Sequence, residues 1–225
     1  MEHTNKMNRK SPVTFSTQPM KTYFRDGWEV VHAYADEGQG PFLVDLSHRP
    51  KWDVQHASLS TLRPWMLMFP EAPGQCRLES GRLLNRMNHS QAAIWHLVGN
   101  EAELIPEPFF TDITDGLCLL ALVGEQAFSV MEKVSPLDLA SPGKTPPFLV
   151  QGPVLHIPCQ VVVLARKSKN PIVLTAFSRG YGQSMAETFL DAGAAFGLRP
   201  GGENVFRQAL EQIYPGDDRP DQHPA

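Results

Sequence analysis

Two short clusters combine side chains that could do chemistry. Asp45 and Asp53 flank Ser47-His48-Arg49, so acid, hydroxyl, imidazole and guanidinium groups fall within one short stretch. That mixture suits contact with a polar ligand, although an Arg49–acid pair and a turn capped by Ser47 explain it more economically. Asp112 and Asp115 bracket Thr114 just before an apolar run. Carboxylates so close could tune each other's proton affinity for acid–base work, but Asx-turns at a strand entry are the simpler expectation. Gly180-Tyr181-Gly182-Gln183-Ser184 precedes a helical pattern, where free N–H groups could hold an anion or be met by ordinary capping.

Other chemistry is sparse. His32, His48, His56, His89, His96 and His156 form no i, i+4 pair on an expected helix; His96 and His156 are expected inside strands, as hydrogen-bonded imidazoles. Cys76, Cys118 and Cys159 are too few and too scattered for a disulfide framework or a zinc site, and Cys118 and Cys159 lie in apolar stretches that suit buried, reduced thiols in a cytoplasmic protein. Nucleotide-loop, zinc-protease and nucleophile-elbow signatures are absent. A formal charge of -4 and a pI near 6.1 disfavour a nucleic-acid partner, because phosphate contacts need clustered cations. No apolar run reaches the length of a membrane span, and residues 1–20 have no apolar core of a secretory signal.

The elements that would position these groups follow from periodicity. Strands are expected at 42–46 and 51–55, then a helix over 58–69 from the spacing of Leu59, Leu62, Met66 and Phe69, despite Pro64. Hairpin strands at 76–79, 82–87 and 92–98 follow, with a connector at 101–108. The second half repeats the plan: a buried strand at 117–123, a helix at 125–134, a loop at 141–147 and strands at 154–165 and 172–177. A helix at 183–196 capped by Gly197 and a last helix at 203–213 come next, and the tail from 215 is expected to be disordered. Strand–helix units at 51–69 and 117–134, each followed by hairpin-like strands, predict an α+β fold of pseudo-duplicated strand–helix–hairpin units with mixed, mainly antiparallel sheets. Residues 1–40 form an N-terminal extension with the first strands, 41–202 the main domain, and 203–225 a C-terminal helix and tail.

Three ordered segments carry a family resemblance. Asp45-Leu46-Ser47 with Lys51 and Val54 resembles the D-L-S-x-x-x-K-x-x-V opening of the glycine-cleavage T-protein family. The stretch from Asp112 through Gly124 to Met131, and the run from Met185 to Gly197-Leu198-Arg199-Pro200-Gly201-Gly202, are similar to later T-protein segments. Leu137-Asp138-Leu139, the strand ending at Arg166 and Ser178-Arg179-Gly180-Tyr181 resemble the sarcosine oxidase gamma-subunit branch. The resemblance implies a folate-binding aminomethyltransferase-like fold, with tetrahydrofolate as the cofactor and Asp45, Arg49, Asp115 and Arg166 as its binding positions. The family's Gly-x-x-x-Asp-Asp hairpin corresponds to 80–89, which lacks a carboxylate, and its acidic pterin segment corresponds to 166–172, which keeps only Arg166. These departures imply a non-catalytic, gamma-subunit-like component of an amine-oxidising or one-carbon complex. Its partners would be larger oxidase or transferase subunits carrying flavin, or a second copy. The alternative implied is a stand-alone tetrahydrofolate-dependent aminomethyl- or methyltransferase.

Overall fold

The computed structural model describes residues 8–35, 37–99 and 108–215. A hairpin comes first: β1 (Pro19–Arg25) and β2 (Trp28–Tyr34) turn at Asp26-Gly27, both at positive φ as a tight hairpin turn requires. β3 (Phe42–Asp45), β4 (Lys51–Gln55), β5 (Cys76–Glu79), β6 (Arg82–Arg86), β7 (Gln91–His96) and β8 (Phe110–Asp112) follow. β9 (Leu117–Val123) leads to α1 (Ala127–Val134), β10 (Phe148–Val154), β11 (Ile157–Ala165) and β12 (Ile172–Ser178). The chain closes with α2 (Gly182–Gly193), β13 (Arg199–Gly201) and α3 (Glu203–Ile213).

The apolar run of β9 shows how these elements stack. Cys118, Leu120 and Leu122 point to one hydrophobic core, shared with α1 and α2, while Leu119, Ala121 and Val123 point to another, shared with α3 and β7. Such a strand is buried on both faces, which is why its sequence does not alternate. It lies inside a six-stranded sheet of order β10-β11-β12-β9-β3-β13, in which only β13 and β3 are parallel. A five-stranded antiparallel sheet, β5-β6-β7-β4-β8, packs on the second core and buries a third on its far face under residues 58–69. The molecule is therefore α+β with mainly antiparallel sheets.

Several expectations need correction. Residues 58–69 hold no α-helix but two 3-10 turns, Leu59–Thr61 and Pro64–Met66. Pro64 cannot donate within a helix, and Trp65 and Met66 adopt positive φ, which throws Met66 outward to 90% exposure. Leu59, Leu62 and Phe69 are buried anyway, so their spacing reported burial rather than helix. The first of the two expected strand–helix units therefore has no α-helix. His156 sits in the β10–β11 turn with Leu155, both at positive φ, and β10 was not anticipated because Gly152 and Pro153 interrupt its apolar pattern. The connector at 101–108, apart from its last residue, and the tail beyond 215 lie outside the described residues. Among the described residues no helix is long and apolar enough to cross a membrane.

One close approach fixes α3 against the first hairpin. A Cβ on Gly202 would stand 2.2 Å from the His32 carbonyl oxygen, although the backbone φ of -74° suits any residue. Gly202→Ala is expected to cost about 1–3 kcal/mol through overpacking alone, read as a lower urea midpoint with unchanged slope.

Candidate functional site

The crossover from one sheet to the other, between β3 and β4, is built from polar residues that are nonetheless buried: Ser47, His48, Arg49 and Lys51. Local bonds make that tolerable. Asp45 accepts from the Ser47 N–H (2.9 Å) and from the Ser11 hydroxyl, and the Ser47 hydroxyl accepts from Leu119 N–H at 3.2 Å. The Lys51 ammonium folds back to donate to the carbonyls of Ser47 (2.8 Å) and Arg49 (2.7 Å). Burial lowers its proton affinity to about 8, against the opposing pull of Asp45 and more distant acids.

Behind the crossover lies a charge cluster centred on Glu203, the first residue of α3. One carboxylate oxygen accepts from His48 Nε2 at 2.8 Å, Arg49 Nη2 at 2.5 Å and Arg25 Nη1 at 3.1 Å, and the other accepts from the Tyr23 hydroxyl. Burial alone would raise the Glu203 pKa, but Arg49, the His48 hydrogen bond and Arg25 outweigh it and hold the carboxyl well below the usual range. With Glu203 ionised, His48 Nε2 carries the proton, and burial pushes the imidazole pKa down so that the ring is neutral. The Tyr23 hydroxyl is pushed up by burial and then by Glu203, so it is a donor.

In front of the crossover is a cavity of about 370 Å³, walled by residues 8–15, the β1–β2 hairpin, Asp45 and His48. The N-terminal segment closes it by pairing Arg9 N–H with Gly27 (2.8 Å) and Thr14 with the Gln183 side chain. Residue 182 must be glycine here, because a Cβ would meet Pro12 at 2.6 Å. The start of α2 is thus covered by the protein's own chain.

The four expected binding positions do not converge. Asp45 lines the cavity; Asp115 reaches its edge only through Arg9, at 3.5 Å. Arg49 points to Glu203 and donates to the Gly99 carbonyl at 3.2 Å. Arg166 ties the loop before β10, donating to the carbonyls of Ser141 (2.7 Å) and Lys144 (3.0 Å). Asp53 belongs to the other sheet, where Gln55 and Gln91 donate to it. Asp112 forms the expected Asx-turn with Thr114 N–H at 2.8 Å. Glu203, Tyr23 and Arg25 were not singled out, because Glu203 after Gly201-Gly202 reads as an ordinary acidic helix start.

Two packed, mainly antiparallel sheets flanked by helices make up this α+β fold. No family model matches the sequence, and neither does any curated protein. Solved structures do match. A chain of the heterotetrameric sarcosine oxidase from Corynebacterium sp. U-96, in complex with pyrrole 2-carboxylate, aligns with a TM-score of 0.56 and 15% identity over 68% of this chain and 84% of that one. The glycine cleavage system aminomethyltransferase T from Bartonella henselae aligns with a TM-score of 0.51 and 15% identity, over 86% of this chain. The alignment covers 59% of that transferase's length, and both likenesses are of fold.

The cluster has a defined pH signature. His48 and His96 both have depressed proton affinity, His96 down to about 3 through burial and the nearby Arg82. Their stabilisation is present above about pH 6.5 and lost as pH falls, because the unfolded chain then binds protons that the native rings refuse. Glu203 is depressed too, so its contribution is present above about pH 4.3 and lost as pH drops further. Urea midpoints are expected to fall once the pH drops below about 6.5 and to fall more steeply below about 4.3. Glu203→Gln should lose about 3–5 kcal/mol at neutral pH and remove its share of the steeper fall.

Proposed function

We propose that this chain is a non-catalytic component of an amine-oxidising or tetrahydrofolate-linked one-carbon complex, held by larger flavin-carrying subunits. The observation that carries the reading is at β6. Counted from Gly81, the Gly-x-x-x-Asp-Asp spacing implied by the resemblance places Asn85 and Arg86 where the acids would stand. Asn85 is fully buried and neither atom of its side-chain amide has a hydrogen-bond partner. An amide neither takes nor gives a proton at neutral pH, so the position supplies no general acid or base. The Glu203 carboxylate is equally unsuited, since it is already committed to four donors.

Assembly is supported from two sides. The oxidase chain that this fold resembles works in a heterotetramer, and the alignment covers 84% of it. Met66, Met68, Met20 and Phe24 are large apolar side chains left exposed and so available to a partner surface. A stand-alone tetrahydrofolate-dependent aminomethyl- or methyltransferase is the second reading, and the cavity beside Asp45 favours it.

Purification of the tagged full-length chain from its own cells separates the two. The expected result is stoichiometric co-elution of a larger polypeptide with flavin absorbance, and no one-carbon transfer to tetrahydrofolate by the chain alone. A lone monomer that performs the transfer would overturn the proposal.

A further inference from the structure

The exposure of Met66 is built into the backbone of the turn at Pro64–Met66. Trp65 (φ 49°, ψ 32°) and Met66 (φ 65°) both occupy the left-handed region, which bulky side chains avoid because their Cβ crowds the following carbonyl. Two such residues in succession need an anchor, and the Trp65 ring supplies it. The ring packs edge-on against Trp52 at 5.3 Å and lies under the Arg82 guanidinium at 4.5 Å. Met66 is left 90% exposed and Met68 47% exposed, while Leu67 between them and Phe69 beyond are buried. So exposed a side chain adds almost no packing to its own chain.

The sheet face beside this turn is positive. Leu84 of β6 belongs to the core under residues 58–69, and Arg77 of β5 stands opposite it in the register, so Arg77 points to the same face. Arg82 and Arg86 lie two residues either side of Leu84 and point there as well. Arg77 is therefore diagonal to both, at roughly 7–8 Å between backbones. None of the three forms an ion pair with a described acid. Arg82 donates to the Ser80 carbonyl at 3.2 Å and Arg86 to the His89 carbonyl at 2.6 Å, and the exposed Glu71 and Glu79 pair with none of them. Like charges gathered in this way repel, and carboxylates brought from outside relieve the repulsion. On the hairpin that exposes Met20 and Phe24, by contrast, Arg25 is already paired with Glu203 at 3.1 Å. Trp, Met and Arg are also the residue types enriched where proteins meet.

We propose, on the footing of the assembly reading above, that the larger subunit docks on this face, with an apolar socket for Met66 and carboxylates for Arg77 and Arg82. The test is purification of the tagged full-length chain and three variants from the protein's own cells, with the co-eluting flavin-carrying polypeptide quantified for each. Met66→Glu and Arg77→Glu are each expected to lower its yield about tenfold or more, and Phe24→Glu to leave it unchanged. Met66→Glu alters a side chain outside the core, so it keeps the fold even if Arg77→Glu does not. The wild-type complex is expected to weaken between about 50 and 500 mM salt, because screening acts on the carboxylate contacts. Co-elution that survives Met66→Glu, or that is indifferent to salt, overturns this docking face and leaves the assembly reading standing. Equal loss of the partner in Phe24→Glu does the same. A wild-type chain that elutes with no larger polypeptide, alone or paired with a second copy, overturns both.

Discussion

A single buried carboxylate organises the centre of this protein. Glu203 draws Tyr23 and Arg25 from the first hairpin and His48 and Arg49 from the sheet-to-sheet crossover onto the first turn of the last helix. Remove that charge and the buried Arg49 guanidinium is left facing the half-buried Arg25 without a counter-ion, which is far more costly than never having buried it. The start of a helix is also where a carboxylate is best placed, because the free N–H groups there carry partial positive charge. Segments more than 150 residues apart are thus fastened at one point, and the crossover between the two sheets is held by the same contact.

The same economy divides the polar residues into two sets with different prospects. Behind the crossover, four donors already occupy the Glu203 carboxylate, leaving that acid little for a substrate to use. In front of it, Asp45 faces a cavity enclosed by the hairpin and the N-terminal segment. Asn85 belongs to neither set: it is buried, and its side-chain amide has no hydrogen-bond partner.

Much of the fold was legible because local chemistry and burial agreed. β9 was readable as a strand covered on both faces, and the Ser80-Gly81 turn announced its hairpin. Gly197, at φ 73°, ends the helical stretch that runs on from α2 where the sequence placed its cap. Residues 58–69 were misread because the spacing of Leu59, Leu62 and Phe69 satisfies two structures equally. Only the backbone decides between them, and there Pro64 and the positive φ of Trp65 and Met66 rule out a helix. Asp45 stood out from the density of functional groups around it, but its place on a cavity wall, like the partners of Arg49 and Arg166, was not readable from the sequence.

By itself, then, the sequence determined the three helices, most strands of the two main sheets, the double-sided burial of the central strand and the scarcity of catalytic motifs. These depend on periodicity and on residue types within a few positions of each other. Tertiary structure alone decided that Arg49 belongs to Glu203 and Arg166 to a loop, and that residues 8–15 close a cavity over Asp45. The physical reason is that charge pairing and cavity formation depend on distance in space. Neither the 155-residue separation of His48 from Glu203 nor the 34-residue separation of Ser11 from Asp45 leaves any periodic trace in the chain.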